Sequence, residues 1–143
     1  MGLRPGTASD QTAIRSLLQD SRLPVADLDT AAVDFTVAAD VTDVVGVAGL
    51  EPFGGVGLLR SLAVRDGERG RGIGEQLVGA IEARAAMLGL QQLVLLTETA
   101  APFFARRGYV AITRDLAPPA VQHSAEFRSI CPASATCMIK SLG

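Results

Sequence analysis

The chain reads as a single α/β domain with a mixed sheet. Three observations carry this reading. Short apolar runs of strand length alternate with segments whose apolar residues recur at helical spacing. One such run, Val56 to Val64, leads through a charged turn into Arg69-Gly70-Arg71-Gly72-Ile73-Gly74 and then into a helix-periodic segment. Leu93 to Leu96 is purely apolar, the pattern of a strand buried on both faces. With 143 residues, 48% of them hydrophobic, residues 1–143 have the size of one domain and enough apolar content for a single core.

In chain order, Leu3 to Thr7 is a short edge strand. Ser9 or Asp10 caps a helix that carries Ile14, Leu17 and Leu18 at helical spacing. Leu23-Pro24-Val25 breaks it, and a short helical piece or loop runs to about Asp29. Val33 to Ala39 alternates as a strand does, Asp40 and Thr42-Asp43 turn, and Val44 to Leu50 forms the second hairpin arm. Pro52 to Gly55 turns again into Val56–Val64, the central strand. The helix from Ile73 presents Leu77, Ile81 and Met87 or Leu88 inward, and Gly89 ends it. After Leu93–Leu96, Ala100 to Arg107 is a short helix stopped by Gly108. Tyr109 to Arg114 is a strand, Pro118-Pro119 opens a loop or short helix, and Thr136 to Leu142 is the last strand.

A strand entering a Gly-rich turn at a helix N-terminus suits phosphate. Backbone N–H groups converge there, the helix dipole adds partial positive charge, and Arg69 and Arg71 can add charge-assisted contacts. A ligand-free glycine turn is the plainer alternative. It is disfavoured because three glycines in five residues weaken a helix start by roughly 1 kcal/mol each relative to Ala. A P-loop needs Lys-Ser or Lys-Thr after its last glycine, and here Glu75-Gln76 follow Gly74. A dinucleotide fingerprint needs G-x-G-x-x-G, and Gly70, Gly72 and Gly74 give G-x-G-x-G. What fits is R-x-x-G-x-G on Arg69, Gly72 and Gly74 after Leu62-Ala63-Val64. The string LAVRDGERGRGIGEQLV resembles the central motif of the GCN5-related N-acetyltransferases (GNAT).

That resemblance spans nearly the whole chain, tight from Leu58 to Tyr109 and loose before Val33. It implies a mostly antiparallel, six- to seven-stranded sheet flanked by helices, with the fourth and fifth strands splayed. It implies acetyl-CoA as cosubstrate. Main-chain contacts to the pantetheine arm and acetyl oxygen fall on Leu62 and Val64, with Ala63 between them. Pyrophosphate contacts fall on Arg69, Gly70, Gly72, Ile73 and Gly74. Arg71 points to solvent near the phosphates or is a plain surface arginine. Thr97, Phe103, Phe104 and Arg106 belong to the same cofactor set, and Phe103 and Phe104 pack on the arm or in ordinary core. The family's usual proton-donating tyrosine falls on Phe104, which cannot donate, and its usual asparagine on Thr97. Tyr109 then serves as core or, alternatively, as the displaced acid.

An amine acceptor must lose a proton before attack, since a free alkyl ammonium has a pKa near ~10. Glu98 is a candidate base or a cap partner for the helix that follows it. His123 and Glu126 are further candidates, and a water chain is another route. Arg60 and Ser61 lie in the central strand, where strict alternation puts Leu58, Arg60, Leu62 and Val64 on one face. Arg60 is either paired in the core with Glu51 or Glu98 or a clamp for an anionic acceptor. Ser61 beside it is a catalytic and acceptor-contact candidate. Arg22, in the loop after the first helix, is a second anion clamp, and Glu126 a further acceptor contact.

Ser124-Ala125-Glu126-Phe127 and the ending from Cys131 to Lys140 resemble the small N-acetyltransferases of bacterial arsenic-resistance operons. That likeness implies an amino-acid-like, even arsenic-containing, acceptor. Cys131 and Cys137 could bind trivalent arsenic directly or be small core residues. Two cysteines and one histidine make neither a disulfide framework nor a zinc quartet, so no metal is expected. A net charge of −2 argues against nucleic acid, and no apolar run reaches spanning length. The N-terminus has no apolar signal core, so a cytoplasmic protein with a small-molecule partner is expected, a homodimer being open. Three functions stand: an N-acetyltransferase, a CoA-sensing module of the same fold, and a thiol-based metalloid binder.

Overall fold

The computed structural model describes residues 2–41, 43–130 and 132–142. Seven strands form one sheet: β1 (Gly2–Pro5), β2 (Asp34–Ala39), β3 (Val44–Phe53), β4 (Val56–Val64), β5 (Gln92–Thr97), β6 (Val110–Ile112) and β7 (Thr136–Ser141). Their spatial order is β1-β2-β3-β4-β5-β7-β6. Every neighbouring pair is antiparallel except β4–β5. The helices are α1 (Gln11–Asp20), α2 (Ile73–Met87), α3 (Ala101–Ala105) and α4 (Pro119–Gln122).

Local chemistry explains each element. Ile14, Leu17 and Leu18 are the buried stripe of α1, and they pack with Phe35, Val37, Val47 and Ala63 on one face of the sheet. Asp10 anchors its start: it accepts from the Thr7 amide at 2.8 Å and takes Arg4 bidentately at 2.7 and 2.9 Å. Thr7, expected at the end of the first strand, therefore belongs to this capping turn. Ile73, Leu77, Val78, Ile81 and Ala85 are the buried stripe of α2, which covers the opposite face with Leu50, Leu59, Leu93 and Leu95. The short α4 covers Val94 and Cys137, settling the Pro118-Pro119 segment as helical.

Several boundaries move. β3 continues to Phe53, because its pairing with β4 runs out to Phe53–Val56. The strand after Gly108 is only Val110–Ile112, since Arg114 opens a 3₁₀ turn. α3 ends at Ala105, short of Arg107. Residues after Asp20 form turns without a second helix before β2.

The largest correction lies within β4. Val47 pairs with Ala63, but Gly49 pairs with Arg60, so Ser61 and Leu62 together oppose Ala48. This is a β-bulge, and Ser61 sits in it with a left-handed φ of 60°. The extra residue reverses the alternation. Leu59, Leu62 and Val64 share the α2 side, while Ala63 packs on the α1 side. The strict period-2 assignment of Leu58, Arg60, Leu62 and Val64 to one face fails for that reason.

Candidate functional site

The sheet opens where its one parallel pair ends. β4 and β5 pair only from Val56–Gln92 to Leu58–Val94, although β4 runs on to Val64 and β5 to Thr97. β5 stays fully paired with β7 on its other side. The divergence leaves a cleft of about 1030 Å³ with β4 residues Leu59 to Val64 as one wall. On its β5 side the main chain of that wall has no neighbouring strand, so polar groups not paired with β3 face the cleft, where Val64 O is taken by the Arg69 side chain.

One end of the cleft is the Gly-rich loop. Gly70 and Gly72 have φ of 82° and 77°, and a Cβ on either would meet no atom within 4 Å. The glycines are there for the backbone conformation and not for packing. The first helical bond of α2 runs from Gln76 N to Gly72 O at 3.1 Å. The amides from Gly70 to Glu75 donate to no other described residue, which leaves a concave row of donors at a helix start. Arg69 turns its side chain back, donating from Nε to Val64 O at 3.0 Å and pairing with Asp66 at 3.1 Å. Phe103 lies against Gly74, where a Cβ would sit 3.5 Å from the ring. Arg107 lies over that ring at 3.7 Å from its centroid, donates to Phe103 O at 2.7 Å and pairs with Glu75 of α2.

At the inner end, roughly four residues or about 13 Å back along β4, lie Arg60, Ser61 and Glu126, with Ser21, Arg22 and Leu23 from the loop after α1. Arg60 is buried, and its Nη1 and Nη2 meet Asp27 at 2.6 and 2.8 Å. Nη1 also reaches Glu51 at 3.2 Å, and Glu126 lies 3.6 Å from Nε. Burial works against the Arg60 charge, but the Asp27 hydrogen bonds and the Glu126 and Asp27 charges outweigh it, so its pKa stands above the ordinary guanidinium value. Reciprocally, the Arg60 hydrogen bond holds the Asp27 carboxyl below the usual range despite burial. The core ion pair expected with Glu51 or Glu98 therefore forms with Asp27, Glu51 and Glu126, and Glu98 takes no part.

The cleft gathers nearly all of the sequence-derived site: Arg22, Arg60, Ser61, Leu62, Ala63, Val64, Arg69, Gly70, Gly72, Ile73, Gly74, Thr97, Glu98, Phe103, Phe104, Arg106 and Glu126 line it. Glu98 is exposed and does not cap the next helix, because the Thr97 hydroxyl takes the Ala100 amide at 3.0 Å. Three residues fall elsewhere. His123, exposed just after α4, does not line the cleft. Arg71 pairs with Glu68 at 2.8 Å and borders a separate hollow with Asp40 and Val45. Tyr109 is buried behind Phe104, rings 5.4 Å apart, and its hydroxyl donates to Glu82 at 2.9 Å. Burial, then the Glu82 charge, pushes the Tyr109 phenol far up, so it holds its proton. Tyr109 is thus a core residue in this structure, not a group at the cleft.

Sequence reasoning missed Asp27 and Arg107. A rule that a buried guanidinium needs a carboxylate could have asked for the former, but no spacing singles it out. Cys137 is buried and burial raises its thiol pKa, which favours the core role. Cys131, like the turn residue Thr42, lies outside the described residues. Among the described residues no His/Cys/Asp/Glu group could hold a metal, and no helix is long and apolar enough to cross a membrane.

A family model described as acetyltransferase (GNAT) domain matches residues 31–111. An amino-acid acetyltransferase of Ralstonia nicotianae is 37% identical over 87 residues, which is 59% of this chain and 19% of that protein. The chain thus spans about a fifth of that relative's length. Among solved structures, N-acetylglutamate synthase from Neisseria gonorrhoeae, complexed with coenzyme A and N-acetyl-glutamate, matches with a TM-score of 0.82 at 19% identity, over 100% of this chain and 36% of that one. A GNAT-family acetyltransferase from Staphylococcus aureus matches with a TM-score of 0.80 at 16% identity over 99% of each chain. At these identities the structural likeness is one of fold.

Proposed function

The chain belongs to the GNAT acetyltransferase domain family, and on that premise we propose that it transfers an acetyl group from acetyl-CoA to the amine of a small amino-acid-like acceptor. The observation that carries the proposal is the cleft itself: a row of undirected amides from Gly70 to Glu75 at one end, and a charged chamber around Arg22, Ser61 and Glu126 at the other. The residues present fit the cosubstrate. The loop amides and the start of α2 suit a pyrophosphate, the freed main chain of Leu62 to Val64 suits an amide-bearing arm, and the Phe103 ring supplies an apolar side. Acetyl-CoA bound there supplies an acyl thioester.

The chain's own residues then have three tasks. The bulge at Ser61 turns β4 backbone toward the cleft, where an N–H can polarise a carbonyl. Glu98, exposed at the cleft, takes the proton that the acceptor nitrogen must lose and passes it to solvent. Glu126 contacts the amine end of the acceptor and Arg22 its anionic group. Phe104 offers no acid, so protonation of the departing sulfur is left to water.

The Ralstonia relative, an amino-acid acetyltransferase, supports an amino-acid acceptor. The likeness of the C-terminal ending to arsenic-operon acetyltransferases would refine this to an arsenic-containing amino acid acting in resistance, and a cytoplasmic site would suit either. Phe104 in place of an acid favours a second reading, a CoA-sensing module without turnover. One assay separates the two: release of free thiol from acetyl-CoA with a panel of L-amino acids, phosphinothricin-like amino acids and polyamines. Amino acids should drive release and polyamines should not. Acetyl-CoA binding with no release for any acceptor would leave the sensing module.

A further inference from the structure

The fork of Arg60 is used within the protein. Its side chain is 0% exposed, and both Nη atoms engage Asp27. Nε reaches Ser61 Oγ at 3.3 Å, Nη1 reaches Glu51, and Glu126 closes the ring of carboxylates. These partners come from the α1–β2 loop, β3, β4 itself and the π-helical turn Glu126–Ile130 ahead of β7. Two of those four stretches lie outside the sheet and wall the inner end of the cleft. One brings Ser21, Arg22 and Leu23, and the other brings Glu126.

Asp27 is the residue around which the loop winds. Its carbonyl accepts from Thr30 N at 3.1 Å, from Ala31 N at 2.8 Å and from Thr30 Oγ1 at 3.3 Å. Its carboxylate is the polar tether from that turn to the central strand. Five residues earlier, Arg22 is exposed, with a left-handed φ of 59° and no side-chain partner among the described residues. A bidentate guanidinium–carboxylate pair fixes angle as well as distance, which a lysine or a single hydrogen bond does not. Holding a loop in its binding geometry before the ligand arrives saves the ordering cost on binding.

We propose that Arg60 is a positioning residue: through Asp27 it fixes the α1–β2 loop, so that Arg22 is presented to the anionic group of the acceptor. This rests on the acetyl-transfer reading above. It replaces a direct clamp by Arg60 with an indirect one, and it makes acceptor affinity depend on Asp27, which does not line the cleft.

Asp27→Asn tests it. In turnover with an L-amino acid from the panel, the acceptor KM should rise at least fivefold. The kcat and the acetyl-CoA Kd should stay within twofold. Arg22→Ala should raise the KM comparably, and the double variant no further than the larger single, because both act through one contact. Asp27→Glu, which keeps a carboxylate, should recover part of the loss. Amide exchange at residues 21–31 should quicken at least tenfold in Asp27→Asn while α2 is unchanged, a readout that needs no acceptor. Should Asp27→Asn not fold, Arg60→Lys takes its place, since it keeps the charge and loses the fork. An unchanged acceptor KM in a folded variant, full additivity with Arg22→Ala, or unchanged exchange would each overturn the inference. If wild type releases no thiol with any amino acid, the transfer reading fails instead, and the exchange experiment alone decides the tether.

Discussion

Gly72→Ala separates the backbone role of the Gly-rich loop from its packing. Gly72 precedes α2 with φ of 77°, and an added Cβ would meet nothing within 4 Å. No clash is therefore expected, and the cost is conformational: about 1–2 kcal/mol for an L side chain in the left-handed region. Part of that is offset because Ala also restricts the unfolded chain. A net loss near ~1 kcal/mol lowers Tm by about 3–5 °C in a domain of this size. If the loop instead relaxes to a negative φ, the amides from Gly70 to Glu75 no longer converge. If φ is kept, the added Cβ occupies open space at the loop, where it hinders an anion approaching these amides. Either outcome is therefore expected to weaken acetyl-CoA binding, by tenfold or more in Kd, or about 1.4 kcal/mol. Gly79 is the control. It lies within α2, is exposed, has no positive φ and also has open space around its Cβ position. Gly79→Ala should gain up to about 1 kcal/mol in stability and leave the Kd alone. Calorimetric titration and thermal melts on both variants decide the matter. A lowered Tm with an unchanged Kd in Gly72→Ala would show that the loop does not hold the cosubstrate, and no loss of Tm would refute the strain argument.

Tyr109→Phe should cost about 1 kcal/mol, the value of one hydrogen bond, because Glu82 keeps Lys140 at 2.9 Å and the ring contact with Phe104 remains. Turnover should stay within twofold, and a thousandfold fall in kcat at normal stability would make Tyr109 the proton donor after all. Asp27 should govern acid stability. A carboxyl whose folded pKa is depressed contributes stability fully above its unfolded value near ~3.9, and that contribution is lost as pH falls through the folded value. Urea denaturation should therefore give a stability difference between wild type and Asp27→Asn that is constant from about pH 7 to about pH 5 and shrinks below about pH 4. A difference that persists undiminished at acid pH would mean that the Asp27 charge is not what the fold uses.

Much of this architecture was legible in the residues. The α/β class, the seven-stranded mixed sheet and the two main helices follow from apolar periodicity that local and tertiary forces both support. The Gly-rich loop was legible because glycine at Gly70 and Gly72 marks positive φ, a signal independent of packing. The bulge at Ser61 was not, because serine carries no mark of a left-handed residue and a period-2 pattern hides one insertion. Asp27 was hidden for another reason. Its partner is 33 positions away, and only the folded chain brings a loop carboxylate to a central strand. The end of β6 moved because Arg114 opens a turn and its side chain is held by Pro132 O and Phe127 O, and that of α3 because the chain closes through short-range bonds ahead of the left-handed Gly108. The family resemblance agrees with the matching family model, whereas the narrower arsenic-operon likeness rests on the residues of Leu59–Val64, Thr97–Tyr109 and the C-terminal ending alone.

The three-residue seam between β4 and β5 divides the sheet into two antiparallel ribbons, β1 to β4 on one side and β5, β7 and β6 on the other. Each ribbon is hydrogen-bonded within itself, and among the described residues no main-chain pairing joins β4 to β5 past Leu58–Val94. A molecule seated in the gap acts as a rivet between the ribbons, lending the ladder partners that neither strand supplies. Its affinity is then added to cohesion by mass action, about 2.7 kcal/mol at a hundredfold excess over Kd. Lifetime against proteolysis and resistance to heat would in that case follow the supply of the metabolite as well as the sequence.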